Sequence, residues 1–335
     1  LAPVAQTLCL GRYQVTDSLW SVEDIRLGGS DRQRLVVDRL VIPGGCTAVL
    51  GESGAGKTSL LNLLVGFETP DSGRICGPQV VTEDRLPLFW IPPDLGLWPQ
   101  ATAGEHLQAV LPATATTGRR RELLHLLALE ELEQTTPGEL SAGERSRLAV
   151  ARGLAAAACV LVADEPLVHV DAHRIDLFWQ RLVDECRSAD SHLLFATHAP
   201  TQVLRHADHV IVLDDGQPRD HGPVRRVYLN PNSRRVAEAL GPVNWFDSRD
   251  GIPWGVGNGD RNICLRPEHT EIVPDDGGPL VVRQSRDVGV LRESTLTLAE
   301  SDAGPRMVLH LAAGPCLVSG QHVRLENRSP DDAVV

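Results

Sequence analysis

The fold is decided by the stretch Gly51-Glu52-Ser53-Gly54-Ala55-Gly56-Lys57-Thr58. It fits the pattern G-x-x-x-x-G-K-[ST], whose glycines let successive backbone N–H groups turn inward around phosphate oxygens. The apolar run Cys46–Leu50 before it predicts a buried strand, and the leucine-rich segment from Lys57 to about Gly66 predicts a helix after it. A glycine loop that leads from a strand into a helix places a phosphate at the helix N-terminus. Within such a loop, Lys57 is expected to reach the terminal phosphates and Thr58 to offer its hydroxyl to Mg²⁺.

Lys57 is also the only lysine among the 32 lysine and arginine residues of the chain. The many arginines show a bias against lysine, but the bias does not explain its one exception. Arginine would present a wide planar fork where the loop accommodates a compact ammonium. A chance glycine turn is the alternative to a phosphate site, and the position of the single lysine within the pattern argues against it.

The composition is that of an ordinary globular protein. Of 335 residues, 42% are hydrophobic and 23% charged, which excludes collagen-like and largely disordered chains; this length predicts roughly two domains. With a net charge of −12, the chain lacks the broad cationic surface that nucleic acid binding requires, so nucleic acid is not expected as a partner. The longest apolar run, Leu154–Ala163, is far short of the roughly 20 residues that span a bilayer, and no signal-peptide pattern is expected at the N-terminus. The seven cysteines are scattered without a C-x-x-C pair, which indicates reduced, cytosolic thiols and neither a disulfide framework nor a zinc site.

Predicted strands and helices alternate up to about Leu240, which favours an α/β fold with a mostly parallel sheet covered on both faces. Beyond it, short β-branched runs separated by Gly, Pro and Asp predict a small β-barrel or sandwich, with the boundary near Gly241-Pro242. Residues 1 to about 27 show little periodicity and are expected to form a loosely ordered leader. The predicted strands are Leu35–Val37, Leu40–Ile42, Leu86–Ile91, Val160–Ala163, Leu193–Ala196 and Val210–Leu213, then Asn262–Leu265, Leu280–Val282, Leu296–Leu298, Met307–Leu311 and His322–Leu325. The further predicted helices are Arg119–Leu129, Ser141–Ala157 and Ala172–Arg187.

Two carboxylates, Asp164 and Glu165, directly follow the apolar strand Val160–Ala163. At the carboxyl end of a strand in such a sheet, they are expected to lie beside the phosphate loop. Asp164 would hold Mg²⁺ directly or through water, and Glu165 would orient or deprotonate the attacking water. A solvated loop after a strand is the alternative, and the presence of the phosphate loop makes it the weaker one.

The segment Leu140-Ser141-Ala142-Gly143-Glu144 precedes a predicted helix that is rich in arginine. Ser141 and Glu144 have the spacing of a capping box, so a purely structural role is one interpretation. Together with the phosphate loop and the carboxylates, however, the segment resembles the signature motif of ATP-binding-cassette (ABC) ATPases. This resemblance covers roughly residues 28 to 335.

The ABC resemblance implies a site shared between two subunits. In that family two ATP molecules lie between two ATPase subunits, each bound by one phosphate loop and by the opposing subunit's signature motif. Ser141, Gly143 and Glu144 would belong to that motif, with Ser141 and Gly143 on the γ-phosphate in trans. Asp171 matches the family's aspartate loop at the dimer interface, and His198 matches the switch histidine that contacts the γ-phosphate. The resemblance thus implies ATP-binding residues Gly51-Glu52-Ser53-Gly54-Ala55-Gly56-Lys57-Thr58-Ser59, catalytic residues Glu165 and His198, and metal ligands Thr58 and Asp164.

Two positions depart from the ABC pattern. In the glutamine loop, Pro93 occupies the place of the glutamine, and proline offers no side-chain donor or acceptor for Mg²⁺ or water. Asp94 is a candidate substitute ligand. The hairpin Gly28–Arg34, where the family carries the aromatic residue that stacks on adenine, contains no aromatic residue. Arg32 or Arg34 could stack through its guanidinium face, or adenine could be held loosely.

By this resemblance the fold class is α/β, a P-loop NTPase of the ABC ATPase type with a helical subdomain, followed by a small all-β barrel-like domain. The expected domains are a leader (1–27), an ABC ATPase domain (28–240) with a helical subdomain at about 94–150, and a β-rich, TOBE-like regulatory domain (241–335). The segment Tyr228-Leu229-Asn230-Pro231 resembles the end of importer ATPases rather than exporters. The segment Leu265-Arg266-Pro267-Glu268 resembles the entry to the β-rich regulatory domain that those importer subunits carry. Leu97 and Trp98 are candidates for contact with a membrane partner, with core packing as the alternative.

The resemblance therefore predicts an ATPase subunit of an ABC importer, which uses ATP and Mg²⁺ at the cytoplasmic side of the cell membrane. Its expected partners are transmembrane permease subunits, a second ATPase subunit in a homodimer or heterodimer, and an external solute-binding protein. A nucleotide-gated regulatory or binding module with weak or no hydrolysis is the alternative, raised by Pro93. A chromosome- or repair-type ABC ATPase is disfavoured because no long heptad coiled coil lies between Lys57 and Ser141. The solute stays open among iron, a polyamine, an oxyanion and a sugar.

Overall fold

The computed structural model describes residues 18–29, 33–78, 85–257, 259–301, 304–312 and 316–328. Arg32, one of the two arginines considered for contact with adenine, lies outside the described residues. The chain forms two compact units that divide between Val224 and Arg225. Within the described residues, no helix is both long enough and apolar enough to cross a membrane.

The first unit alternates strands and helices, as predicted. In chain order its elements are β1 (Ser18–Gly28), β2 (Gln33–Pro43), β3 (Cys46–Leu50), α1 (Lys57–Leu64), β4 (Ser72–Cys76), β5 (Leu88–Ile91), α2 (Ala103–Gln108), α3 (Arg119–Leu126), α4 (Ala142–Ala155), β6 (Val160–Asp164), α5 (Ala172–Ser188), β7 (His192–Thr197), α6 (Pro200–His206), β8 (His209–Asp214) and β9 (Gln217–Pro223). The predicted helices all form, and their ends shift by a few residues.

A six-stranded sheet with the order β5-β6-β7-β3-β8-β9 organises this unit. All neighbouring strands are parallel except β8 and β9, which pair antiparallel. Strands β3 and β6 are buried at every position, which explains why their sequences are continuous apolar runs without alternation. The predicted α/β fold with a mostly parallel sheet is confirmed.

A second, antiparallel sheet with the order β2-β1-β4 corrects two expectations. Residues 18–27, assigned to the leader, form most of β1, whereas residues 1–17 lie outside the described part of the chain. The buried side chains of β1 include Val22 and Ile25, which are out of phase because Asp24 has a positive φ of 53° and interrupts the pleat. The two short strands predicted at 35–37 and 40–42 are one strand, β2.

Of the three helices between β5 and β6, α2 and α3 both pack against α4, and α4 packs against the sheet at Ile91 and Leu161. Thr102 caps α2 and Ser141 caps α4, each through a complete capping box. Helix α4 continues to Ala155, beyond the end of the predicted helical subdomain at about residue 150.

Helix α1 joins the two sheets of the first unit into one core. Trp20 of β1 is fully buried and donates its indole N–H to the carbonyl oxygen of Leu64 at 3.1 Å. The same apolar cluster includes Leu60 and Leu61 of α1 and Val162 of β6. The N-terminus of α1 is therefore fixed against the carboxyl ends of the central strands.

The second unit contains mainly antiparallel strands. Its elements are α7 (Val224–Leu229, which begins at the unit boundary), α8 (Arg234–Ala239), β10 (Asn244–Phe246), β11 (Ile263–Leu265), β12 (Thr270–Pro274), β13 (Leu280–Val288), β14 (Leu291–Leu298), β15 (Arg306–Leu311) and β16 (His322–Asn327). Strands β10 and β11 pair with each other, and the other five form a sheet with the order β12-β16-β13-β14-β15. The second unit has its own hydrophobic core, which includes Phe246, Trp254 and Leu280.

Arg266 explains why the units divide at the start of α7, after Val224, and not at Gly241-Pro242. Its guanidinium is buried, lies 4.0 Å from the centre of the Tyr228 ring and donates to the carbonyl oxygens of Tyr228, Ala237, Gly241 and Pro242. A buried guanidinium needs several acceptors, and here all four come from α7, α8 and the turn after α8. Both helices are therefore tied to the β-rich unit.

Candidate functional site

The phosphate loop lies between β3 and α1, where the sequence predicts it. Gly54 and Gly56 have φ values of 83° and 99°, in the left-handed region that glycine adopts without strain. A Cβ at Gly51 would lie 2.4 Å from the carbonyl oxygen of Leu213. The three glycines of the loop are thus required by its backbone conformation and by its close packing against β8.

Lys57 connects this loop to the carboxylate that follows β6. Its ammonium donates to the carbonyl oxygens of Gly51 at 2.8 Å and Glu52 at 3.1 Å, and it lies 3.7 Å from Oε1 of Glu165. The side chain is only 8% exposed. The only lysine therefore stands as a buried positive charge at the first turn of α1.

Thr58 and Asp164 are in direct contact. The Thr58 hydroxyl donates to Oδ2 of Asp164 at 2.5 Å. Burial raises the pKa of Asp164, and the hydrogen bond from Thr58 opposes part of that rise. A hydroxyl and a carboxylate side by side form the all-oxygen donor set that Mg²⁺ prefers.

Glu165 and His198 pair across adjacent parallel strands. Nδ1 of His198 lies 2.8 Å from Oε1 of Glu165, and the imidazole donates because a carboxylate only accepts. The backbone of Glu165 has a positive φ of 49° and its N–H donates to the carbonyl oxygen of Ala196 at 3.1 Å. This strained turn, held by β7, ends β6 and brings the glutamate beside Lys57.

A cavity of about 250 Å³ opens beside the phosphate loop. Sequence reasoning missed three of the residues that line it, Gln33, Asp215 and Gly216. Gly216 has a φ of 69°, donates to the carbonyl oxygen of Ala55 and accepts from the N–H of Val36. The Asp-Asp-Gly turn after β8 was the available signal, but its position against the loop depends on tertiary packing. The lining residues are Gln33, Arg34, Gly54, Gly56, Lys57, Thr58, Ser59, Asp215 and Gly216.

Comparison with known proteins agrees with this geometry. The model of the ABC transporter family matches residues 37–168. The Fe(3+) ions import ATP-binding protein FbpC of Yersinia pestis is 30% identical over 274 residues, which cover 74% of this chain and 78% of that protein. The chain belongs to the ABC transporter family. The prediction of an ABC ATPase that binds ATP is confirmed.

A second sequence relative and a solved structure also match this chain over most of its length. The sulfate/thiosulfate import ATP-binding protein CysA of Gloeobacter violaceus is 30% identical over 304 residues, or 87% of this chain and 88% of that protein. A solved structure of an ATP-binding subunit of an ABC transporter superposes with a TM-score of 0.55 at 20% identity, covering 67% of this chain and 95% of that one. The structural likeness shows the fold, and the sequence relatives show the family.

The signature residues of this ABC ATPase lie outside the cavity of their own chain. The Glu144 carboxylate accepts the Ser141 N–H at 2.7 Å and the Ser141 hydroxyl accepts the Glu144 N–H at 3.2 Å, so the capping box is real. A Cβ at Gly143 would lie 3.0 Å from the carbonyl oxygen of His169, a contact tighter than usual, so glycine allows the close approach of this backbone. Asp171 is exposed at the start of α5 and makes no capping bond. Of the described residues, the cavity is lined by none of these four.

The loop that carries Pro93 is fixed by Arg152 of α4. The Arg152 guanidinium donates to the carbonyl oxygens of Leu95 at 2.9 Å and Gly96 at 2.5 Å. The candidate substitute ligand Asp94 accepts the N–H of Gly96 at 3.1 Å, so one of its oxygens is used within its own loop. The structure thus shows a tight turn with two left-handed residues, Leu95 and Gly96, directly after the prolines.

Trp98 lies next to this turn and is 45% exposed. Its ring stacks on His106 at 5.1 Å, and its backbone N–H donates to Nε2 of His106 at 2.8 Å. Burial lowers the pKa of His106, which keeps Nε2 free to accept. The part of Trp98 that remains exposed keeps it a candidate contact for a partner, whereas Leu97 is half-buried.

Proposed function

We propose that the chain is the ATP-hydrolysing subunit of an ABC importer. One observation carries the hydrolytic role, namely that Glu165 contacts both His198 and Lys57 at the wall of the phosphate loop. This arrangement holds a carboxylate where a terminal phosphate would meet the lysine. A binding module without hydrolysis would not need a glutamate held in this way, so the geometry favours turnover.

The residues of the loop would bind the triphosphate. In the free protein the Lys57 ammonium is bound to two loop carbonyls, and the phosphate oxygens would replace these acceptors. Backbone N–H groups of the glycine-rich turn and the N-terminus of α1 would add further donors. Because Lys57 is buried, its attraction to phosphate would be screened less than at an exposed position.

Thr58 and Asp164 fit a Mg²⁺ ion. Their oxygens are adjacent, with Asp164 buried at the end of β6 and Thr58 exposed at the first turn of α1, and both are the hard oxygen ligands that Mg²⁺ prefers. When bound, the ion would neutralise charge on the phosphates. Ionisation of Asp164, which burial disfavours in the free protein, would be favoured by a cation at this position.

Glu165 would act on the attacking water. The water oxygen would form a bond to the γ-phosphorus as the bond to the bridging oxygen of ADP breaks, and the proton released from the water would pass to the Glu165 carboxylate. His198 would hold Oε1 of Glu165 in place through Nδ1, and as the imidazolium, in which both ring nitrogens donate, it would also donate from Nε2 to the γ-phosphate. Lys57 would stabilise the negative charge of the transferring group.

Two subunits would be needed for the complete site. Ser141, Gly143 and Glu144 of one subunit, with Asp171, would contact the nucleotide or the dimer interface of the other, because within one chain they do not line the cavity. Closure of this dimer on ATP would be transmitted to transmembrane permease subunits at the cytoplasmic side of the membrane, with Trp98 and Leu97 as contacts. An external solute-binding protein would deliver the solute.

The names of the sequence relatives indicate which solutes should be tested first. They are named for import of Fe(3+) ions and of sulfate or thiosulfate, so these ions come before polyamines and sugars. The β-rich part beginning near residue 241 would serve as the regulatory domain.

The test is phosphate release by the purified chain, alone and with its permease in proteoliposomes. We expect Lys57→Ala to abolish ATP binding and Glu165→Gln to retain binding while losing turnover by about a hundredfold or more. Glu165→Gln should also accumulate as an ATP-bound dimer on size-exclusion chromatography. Glu122→Gln, an exposed carboxylate on α3, is the matched control and should behave as the wild type. Unchanged phosphate release by Glu165→Gln would contradict the assignment.

A further inference from the structure

Two residues, His198 and Ala199, connect β7 to α6. The imidazole of His198 is 54% exposed, so packing does not hold it in one direction. Among the described residues, its one hydrogen bond is the contact of Nδ1 with Oε1 of Glu165 at 2.8 Å. The position of this side chain therefore depends on the backbone of a short connection and on the contacts that fix it.

Thr197, the last residue of β7, contacts this connection directly. Its hydroxyl oxygen accepts the N–H of Ala199 at 3.0 Å, which closes a local side-chain-to-backbone turn around His198. Thr197 is only 4% exposed and pairs with Leu50 of β3. A buried residue within a parallel sheet thus fixes the backbone on both sides of the histidine.

The start of α6 offers no substitute for the Thr197 hydroxyl. The helix begins at Pro200, which has no N–H, and no side chain caps it at Ala199. In the part of the chain that the structure describes, the Thr197 hydroxyl is the acceptor of the Ala199 N–H. Loss of this oxygen would leave a partly buried donor unpaired and release the connection from its turn.

The main chain at the end of β7 holds the phosphate loop and the glutamate separately. The Thr197 carbonyl oxygen accepts the N–H of Gly51 at 3.3 Å, and that of Ala196 accepts the N–H of Glu165 at 3.1 Å. Both are backbone hydrogen bonds, so a side-chain substitution at Thr197 leaves their donors and acceptors in place. The hydroxyl can therefore be removed without removing these anchors.

We propose that Thr197 is a positioning residue for ATP hydrolysis, because its hydroxyl fixes the connection that carries His198 to Glu165. The proposal rests on the proposed function, since it requires that this histidine and glutamate act in catalysis. Thr197 acts through His198 and not on the nucleotide, and it is not among the described residues that line the cavity beside the phosphate loop.

Three variants isolate the contribution of the hydroxyl. Thr197→Val keeps the shape of the side chain and removes the acceptor, whereas Thr197→Ser keeps the acceptor and removes the methyl group. Thr47→Val is the matched control, because Thr47 is a buried threonine of β3 in the same sheet and its hydroxyl has no hydrogen-bond partner among the described residues. Phosphate release gives kcat, calorimetric titration in EDTA gives the Kd for ATP, and thermal scans give Tm.

We expect Thr197→Val to lower kcat by about 10- to 100-fold, because a small displacement of a catalytic group causes losses of this size. The Kd for ATP should change by less than about twofold, since the backbone hydrogen bonds of the loop remain. Thr197→Ser should retain about half or more of the wild-type kcat because it keeps the acceptor, and Thr47→Val should match the wild type. A wild-type kcat in Thr197→Val, or a kcat in Thr197→Ser as low as in Thr197→Val, would overturn the proposal.

A double variant distinguishes positioning of His198 from general damage to the fold. In a His198→Ala background, Thr197→Val should change kcat by less than about twofold, because the group that Thr197 positions is already absent. An equal loss of kcat in both backgrounds would show a structural defect unrelated to His198 and would contradict the proposal.

Failure of the proposed function gives a different pattern of rates. If His198→Ala and Glu165→Gln both released phosphate at the wild-type rate, the catalytic pair itself would be wrong. If these two variants were slow while Thr197→Val matched the wild type, only the role of Thr197 would be wrong.

Discussion

Glu165 and His198 directly follow adjacent parallel strands and meet at 2.8 Å, although 33 positions separate them in the chain. Strands β6 and β7 pair with Asp164 opposite Ala196, so the residues just beyond both strands share one edge of the sheet. The contact fixes a carboxylate oxygen that also lies near Lys57. The catalytic role that we propose for Glu165 would therefore depend on His198 as well as on the phosphate loop.

Replacing His198 should separate turnover from binding. We expect His198→Ala to lower kcat for ATP by about a hundredfold or more, because Glu165 loses its partner and the γ-phosphate loses a donor. The dissociation constant for ATP should change by less than about threefold, since Lys57 and the loop glycines remain. Phosphate release and calorimetric titration measure the two quantities. His173→Ala, an exposed histidine on α5, is the control, and an unchanged kcat in His198→Ala would contradict the role.

Asp164 should make stability depend on pH in the nucleotide-free, metal-free protein. Burial raises its pKa, so the folded state binds this proton more tightly than the unfolded chain does. The proton on Asp164 therefore stabilises the folded state fully below the usual aspartate pKa of about 3.9, and this stabilisation is lost as the pH rises through the folded-state pKa. We expect Asp164→Asn to raise Tm by a few degrees near neutral pH, with the gain shrinking as pH falls toward about 4. The variant should also lose ATPase activity.

Thermal scans across that pH range in EDTA make the measurement. Asp276→Asn, in an exposed loop, is the control and should follow the wild type at each pH. A gain in Tm that increases as the pH falls would have the wrong sign and would show that Asp164 is not destabilised by its charge.

Restoring glutamine at position 93 should test whether the loop limits hydrolysis. Proline supplies no amide to Mg²⁺ or to the attacking water, and Arg152 holds the following carbonyls of Leu95 and Gly96 independently of residue 93. We therefore expect Pro93→Gln to raise kcat by up to about tenfold, the scale of an indirect metal contact. Phosphate release at saturating ATP and Mg²⁺ measures it. Pro99→Gln is the control, and a rate equal to wild type in Pro93→Gln would show that Pro93 is not limiting.

Arg266 should be irreplaceable by lysine in the second unit. The Arg266 guanidinium donates to four carbonyl oxygens and stacks on the Tyr228 ring. The ammonium of a lysine could donate to fewer of these acceptors. We expect Arg266→Lys to lower the free energy of unfolding by about 2–4 kcal/mol, since buried acceptors lose their donors. Urea unfolding followed by tryptophan fluorescence gives the value. Arg328→Lys, an exposed pair with Glu271, should lie within about 0.5 kcal/mol of wild type.

The local sequence was sufficient to predict most strands of the first unit. Strands β3, β6, β7 and β8 are short apolar runs buried on both faces, and such runs remain visible without any knowledge of their neighbours. Strand β1 was missed because Asp24 breaks its alternation, which made residues 18–27 resemble an irregular leader. A period-2 pattern is lost when one residue of the strand shifts the pleat.

The unit boundary was misplaced for a different reason. The composition changes near Gly241, but the contacts of Arg266 with α8 and α7 lie 29 and 38 positions back along the chain. No window of sequence shows that a buried guanidinium will take its acceptors from two earlier helices.

The sequence by itself determined the phosphate loop, the carboxylates after β6 and the ABC resemblance, because each depends on residues that are neighbours in the chain and on the backbone conformations that glycine permits. Tertiary structure alone decided which carboxylate oxygen meets His198, how Arg152 fixes the turn after Pro93, and that Glu68 and Ser59 hold Arg34 by its edge beside the cavity. These contacts join residues distant in sequence. Their geometry follows from sheet register and helix packing, which no local pattern encodes.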